Sequence, residues 1–257
     1  MCLITFHIAQ HPTYKLVLAA NRDEAYDRPT RSAQFWETYP GLLAGKDLEA
    51  NGTWLGITRD GKLAAITNCH DGEFFEAATT PKKSRGKIVM DYLTSNQTPE
   101  QYLEILKQNK MEYQPFNILL GTVDNLYHFN SRDQNSSQLP AGINSVSNAT
   151  LNTPWPKVVN TKRQLEQFSQ EGKLYTEQLM QMMMDSTPAP DEELPNVPLP
   201  LEMRRKTSAT FIQSETFGTR CTTILLVDWN NQVTFTERNY RSDGTYADKR
   251  FEFQLET

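Results

Sequence analysis

Met1-Cys2-Leu3-Ile4-Thr5-Phe6-His7-Ile8 opens the chain, and Tyr14-Lys15-Leu16-Val17-Leu18-Ala19-Ala20 follows the loop His11-Pro12-Thr13. Both runs are apolar, and together they predict a two-stranded hairpin. Alternation places Cys2, Ile4, Phe6 and Ile8 on one face and Leu3, Thr5 and His7 on the other. His7 is therefore a poor base for Cys2. The polar run Asn21-Arg22-Asp23-Glu24 follows where the second strand is expected to end.

Working outward, strands are expected at 42–44, 53–58 and 63–68, with Asp60-Gly61 as a hairpin turn. Ser84 is expected to cap a helix with Ile88, Val89, Tyr92 and Leu93 on one face. Thr98-Pro99-Glu100 starts a second helix by cap and proline. Strands return at 116–121, 126–130 and 142–147. Thr153-Pro154 is expected to open a helix through Val158, Val159, Leu165 and Phe168, and 174–184 reads as a fourth helix packed by Met182, Met183 and Met184. The segment 187–200 holds five of the 14 prolines and reads as an excursion. Strands at 222–228, 232–237 and 250–255 close the chain. Strands, then helices, then strands favour an α+β fold over alternating βαβ, in one domain spanning 1–257.

The chain has 257 residues, 31 acidic against 26 basic, for a net charge of −5. The acidic balance argues against nucleic acid as a partner. Twelve Phe, ten Tyr and four Trp can fill a core without metal or disulfide staples. No stretch approaches the roughly 18 apolar residues of a membrane span, and the start lacks the basic and apolar regions of a secretory signal. Three scattered cysteines, Cys2, Cys69 and Cys221, fit a reducing compartment. The four histidines, His7, His11, His70 and His128, lack zinc-type spacing. A soluble cytoplasmic protein without a structural metal is expected.

Cys2 is the most informative position. Removal of Met1 would leave a thiol and an α-amine on one residue. An α-amine titrates near 7.7–8.0, about the pH at which it can take the proton of its own thiol. That is the logic of an N-terminal nucleophile. The bland alternative is a small apolar residue on an edge strand. The 21–24 run likewise has two readings. It is a solvated strand end, or Asp23 orients the Cys2 amine and Arg22 favours the thiolate.

Met1-Cys2, Asn21-Arg22-Asp23-Glu24, Arg28-Pro29 and Phe35-Trp36 resemble the NRDE family, the transport and Golgi organization protein 2 family. The resemblance continues through Ala44-Gly45-Lys46-Asp47, Gly52-Thr53-Trp54-Leu55-Gly56, Thr67-Asn68, Ser84-Arg85-Gly86 and Phe116-Asn117-Ile118-Leu119-Leu120-Gly121. It runs on through Ser147-Asn148-Ala149, Asn152-Thr153-Pro154-Trp155-Pro156-Lys157-Val158, Gly218-Thr219-Arg220-Cys221 and Glu237-Arg238. Asn51 stands where a second glycine is usual, and Asn152 where aspartate is frequent.

The resemblance implies a four-layer αββα sandwich of N-terminal nucleophile hydrolase type. It implies Cys2 as nucleophile, Asp23 as the amine-orienting carboxylate, and Asn68 and Asn148 near the oxyanion. Arg220 would face the nucleophile, and Arg22 joins this catalytic set. The amidase relatives carry arginine before their Asn-x-Asp motif; here Ala20 stands there and Arg22 is inside it.

The resemblance further implies haem trafficking as the leading function. Cysteine amidohydrolase activity and acyl-coenzyme A or lipid binding are the alternatives. Haem wants an apolar slot rimmed by cations. The expected contacts are Asn21, Arg22, Asp23, Glu24, Trp54, His70, Arg85 and Trp155. Trp36, Phe35 and Arg220 are further candidates, although such aromatics are as readily core. His70 is the first candidate iron ligand and His128 the second. Expected partners are haem or another amphipathic anion, with transient haem acceptors or a membrane surface. The basic clusters 82–87 and 204–206 are candidate anion contacts or simply solvated surface.

Overall fold

The computed structural model describes residues 2–69, 82–172, 174–241 and 243–256. The opening hairpin is β1 (Cys2–Ile8) against β2 (Tyr14–Ala25). Beyond β2 lie β11 (Phe217–Asp228), β12 (Gln232–Tyr240) and β13 (Tyr246–Gln254); beyond β1 lies β10 (Gly142–Val146). All pairs in this six-stranded sheet are antiparallel. The intervening strands build a second antiparallel sheet of seven, in chain order: β3 (Thr30–Trp36), β4 (Tyr39–Asp47), β5 (Leu55–Thr58), β6 (Lys62–Asn68), β7 (Phe116–Thr122), β8 (Asn125–Asn130) and β9 (Ser136–Gln138).

Strand alternation sorts the side chains into three buried layers. Ile4, Phe6, Ile8, Leu16 and Leu18 meet Leu43, Leu55, Ile57, Leu63 and Leu119 between the sheets. Leu3, Val17 and Ala19, on the opposite face, pack under α3 (Pro156–Gln170) and α4 (Thr176–Met183) through Val158, Leu165, Leu179 and Met183. The second sheet's outer face buries Ala64, Ile118 and Leu120 against Ile88, Val89 and Tyr92 of α1 (Gly86–Leu93) and Leu103 and Leu106 of α2 (Pro99–Asn109). The result is the expected αββα stack. Each large side chain buried in these layers contributes about 1.5–3 kcal/mol.

Several boundaries differ from expectation. The largest change is in β2, which runs on through Asn21-Arg22-Asp23-Glu24 instead of stopping before it. The run is paired on both sides: Arg22 stands opposite Cys2 in β1, and Asn21 opposite Thr222 in β11. A polar run that completes two ladders stays in the sheet whatever its side chains prefer. The reading of this run as a solvated strand end is thereby corrected.

Ser84 does not cap α1; Arg85 is the residue before the helix and gives no side-chain cap. The third helix starts at Pro156 and not at Thr153-Pro154, because a residue before proline is pushed out of the helical region, which excludes Trp155. Thr98 does form a capping box with Gln101. Within 187–200 the chain makes only one short 3₁₀ turn, Asp191–Glu193, before an unexpected helix, α5 (Leu201–Ser208). No helix among the described residues is long and apolar enough to cross a membrane.

His128, the second candidate iron ligand, is a buried structural group. Its ring bonds Asn117 Oδ1 at 3.1 Å, an oxygen that also accepts from Asn130 Nδ2 at 2.9 Å. Burial pushes its pKa down to about 4. A histidine held neutral in the fold, but titrating near 6.5 when unfolded, stabilises fully above 6.5. That contribution is lost as pH falls toward 4. Urea unfolding from pH 7 to pH 4 is expected to lose about 3 kcal/mol on this account, and His128→Asn to flatten that part of the profile.

Candidate active-site cleft

The start of β1, the end of β2 and the entry to α1 enclose a cleft of about 480 Å³. Cys2, Arg22, Asp23, Glu24, Trp54, Asn68 and Arg85 line it, with Arg28, Asp47, Glu49, Lys82, Lys83 and Phe217 around them. Cys2 faces it from the first residue of β1 and keeps partial exposure.

Arg22 fixes the electrostatics beside Cys2. It pairs laterally with Cys2 on one side and Cys221 on the other, so all three side chains share a face. Cys2 and Cys221 lie two strands apart, about 9–10 Å at the usual strand spacing, too far for a disulfide. The Arg22 guanidinium is 5% exposed. It lies 4.4 Å from the centre of the Trp54 ring, 3.6 Å from Asp47 and 3.7 Å from Glu24. Trp54 can lie this low because position 45 is glycine; a Cβ there would run into the indole ring. Burial pushes the Cys2 thiol up from its ordinary value, and Arg22 opposes that shift. Arg85, on the cleft's other wall, donates to Pro115 O at 3.0 Å and also feels the Cys2 charge.

Asn21 and Asp23 project the other way, toward the helices. Asn21 is 1% exposed. Its Nδ2 donates to Met183 O at 2.8 Å and to Thr210 O at 2.9 Å, and its Oδ1 accepts from Thr222 Oγ1 at 2.6 Å. One amide thus clips together the two ends of the proline-rich excursion. Asp23 is 3% exposed and accepts from Thr219 Oγ1 at 2.7 Å. Because β1 begins at Cys2, Asp23 reaches the cleft past the strand's end. Burial raises its pKa, and the charges of the amino terminus and of Lys157 on α3 act against that rise.

The structure brings Cys2, Arg22, Asp23, Glu24, Trp54, Asn68 and Arg85 together, and separates others. Asn148 stands behind Asn68, donating Nδ2 to its carbonyl oxygen at 3.0 Å. Trp155 borders a different, small cavity with Asn148, Lys157 and Thr207. Asn21 serves the excursion and does not line the cleft. Arg220 sits at a bulge in β11, where its guanidinium donates to Ala25 O at 2.6 Å and Arg28 O at 3.1 Å. It secures the turn after β2 instead of facing Cys2. His70 lies outside the described residues.

Lys157 and Glu237 were not singled out as site residues from the sequence. Glu237 is buried, accepts from Ala33 N at 2.7 Å, and feels Arg22 and Cys221. A lysine at the second position of an amphipathic helix reads as solvated. Only the stacked layers show that it is buried.

A family model described as Transport and Golgi organisation 2 matches residues 1–242. The chain belongs to that family. The mouse Transport and Golgi organization 2 homolog is 33% identical over 281 residues, covering 100% of both chains. The human homolog is 31% identical over 280 residues, again covering 100% of both. Among solved structures, a Caenorhabditis elegans N-acylethanolamine-hydrolyzing acid amidase ortholog is similar at a TM-score of 0.52 and 9% identity, covering 88% of this chain and 92% of that one. That likeness shows the fold, an N-terminal nucleophile hydrolase sandwich. In this Transport and Golgi organisation 2 member, the Asn21–Glu24 run is therefore a buried strand segment whose alternate side chains serve the cleft and the helical layer.

Asn21→Ala removes both bonds at the base of the excursion. It is expected to cost about 1–3 kcal/mol and to open 187–200 to limited proteolysis, with the nick located by mass spectrometry.

Proposed function

We propose that this protein is a cysteine hydrolase of the N-terminal nucleophile type, acting on an amide whose acyl part carries an anionic group. The observation that carries the reading is the Cys2 thiol at the first position of β1, opening into a cleft shared with Asp23, Asn68 and Arg85. With Met1 removed, the Cys2 α-amine takes the thiol proton and Sγ attacks the carbonyl carbon. The C–N bond then breaks, and the amine returns the proton to the leaving nitrogen. Water attacks the resulting thioester, giving up a proton to the same amine; the C–S bond breaks as the amine returns that proton to Sγ, and the released acid ionises to a carboxylate. Asp23 holds the amine. Asn68 faces the oxyanion, with Asn148 fixing it from behind. Arg85 has guanidinium N–H groups besides the one that donates to Pro115 O, and these would meet the substrate's anion.

A second reading is non-covalent carriage of an amphipathic anion, a class that includes haem and acyl-coenzyme A. Arg85, Lys82 and Lys83 at the mouth favour it. For haem itself the described walls are a poor fit. Trp54, Ile66 and Phe217 are the large apolar groups among the described lining residues, charged side chains make up much of the rest, and no histidine is among those described.

Intact mass is expected to show Met1 removed from the native protein. Hydrolysis of a panel of N-acyl amides is expected to be abolished by Cys2→Ala and to lose at least tenfold in kcat/KM on Arg85→Ala for anionic substrates alone. A retained Met1, or hydrolysis undiminished in Cys2→Ala, overturns the first reading. Saturable haemin binding that survives Cys2→Ala and fails in Arg85→Ala would favour the second.

A further inference from the structure

Behind the cleft, on the helical side of the first sheet, lies a lysine to which neither reading assigns a role. Lys157 occupies the first turn of α3 and is 2% exposed. Its Nζ donates to Thr207 O, near the end of α5, at 3.1 Å. An ammonium has three N–H groups, and a backbone carbonyl carries no net charge to balance it. A lysine buried this deeply needs an opposite charge, or it loses its proton. On β2, the helix-facing row runs Val17, Ala19, Asn21, Asp23, and its last member is a carboxylate that is itself buried.

We propose that Lys157 is a positioning residue of the Cys2 site, the buried counter-cation that keeps Asp23 a carboxylate where the Cys2 amine must be held. The proposal rests on Cys2 being the nucleophile, and it assigns Lys157 no contact with substrate. Other groups face the pair from each packed element. Cys2 stands at the start of β1, Arg22 beside Asp23 on β2, and Thr219 on β11 donates to the carboxylate. Cys221 on β11 and Arg85 at the entry to α1 both feel the Cys2 thiol. Arg22 points into the cleft, over Trp54, and is shared with Asp47 and Glu24. On the helical side, where Asp23 lies, Arg238 is taken by Glu177 and Asp248, which among the described residues leaves Lys157. Burial pulls the lysine's proton affinity down while Asp23 and Cys2 push it up; burial pushes the Asp23 carboxyl up while the charge of the amino terminus, and after it that of Lys157, pull it down. The two act on each other reciprocally, as linked charges must.

The carbonyl that holds Lys157 belongs to the same excursion that Asn21 clips. Two of the four side chains in the Asn21–Glu24 run are therefore tied to that excursion, Asn21 directly and Asp23 through Lys157.

The test reads each partner's titration by carbon-13 NMR of the full chain, with Asp23 assigned by Asp23→Asn. In Lys157→Met, the Asp23 carboxyl midpoint is expected to rise by at least one pH unit, and in Lys157→Arg to stay within half a unit of wild type. Equal midpoints in wild type and Lys157→Met overturn the proposal. So does an equal rise in Lys157→Arg, which would make the role one of packing. Should Lys157→Met fail to fold, Asp23→Asn gives the reciprocal measurement. The Lys157 Cε midpoint is then expected to fall by at least one unit, and an unchanged midpoint overturns the proposal. None of these readouts needs hydrolysis, so the two failures are distinguishable: an inactive protein with a coupled pair would sink the hydrolase reading, and with it the positioning role, while leaving the Lys157–Asp23 coupling itself in place.

Discussion

The placement of β2 between β1 and β11 is the constraint on which the site depends. A strand paired on both sides cannot shift register by one residue without turning its whole apolar face outward. Leu16, Leu18 and Ala20 are locked into the inter-sheet core, so Arg22 must follow them toward the cleft. Asn21 and Asp23 must point to the helices. Four consecutive polar residues thereby receive different tasks from pleat geometry alone. The apolar residues before them supply the energy that keeps so much polarity out of water.

That burial has a definite electrostatic cost, met by pairing. A charge taken from water is stable only with an opposite charge or good hydrogen bonds nearby. Arg22 has Asp47, Glu24 and the face of Trp54, while Asp47 is held as a carboxylate by Arg28 at 2.7 Å. Burial sets up the problem for Arg85, Asp23, Lys157 and Glu237 alike; backbone carbonyls accept from the two cations, and N–H or hydroxyl groups donate to the two carboxyls. Such clusters are expensive to assemble for packing alone, and shifted groups gathered in a cleft are a reason to look for chemistry there.

Much of this was legible in the sequence. Alternation along 2–8 gave the correct faces for Leu3, Thr5 and Phe6, and the periodicity of 86–93 gave the buried stripe of α1. Motif resemblance brought Cys2, Arg22, Asp23, Asn68 and Arg85 to one cleft. What remained hidden depends on contacts distant in sequence. Nothing local shows that Asn21 is spoken for by Met183 and Thr210, that Arg220 turns to Ala25 and Arg28, or that Lys157 is buried. The strand β3 lacked a strong apolar signal because it is a sheet edge with one neighbour. The helix α5 is polar for most of its length and follows five prolines, so its surroundings read as irregular chain.

The Asn21 clip has a consequence for how this architecture can change. Its amide fixes the chain at 183 and again at 210, and Phe211 N adds a bond to Asp185 O at 2.8 Å. With both feet pinned, the segment between them is a closed loop, and lengthening a closed loop costs only about 0.6 kcal/mol per doubling. Evolution is thus free to lengthen, shorten or redecorate this stretch at small thermodynamic penalty, provided the two anchoring carbonyls and the asparagine that grips them persist.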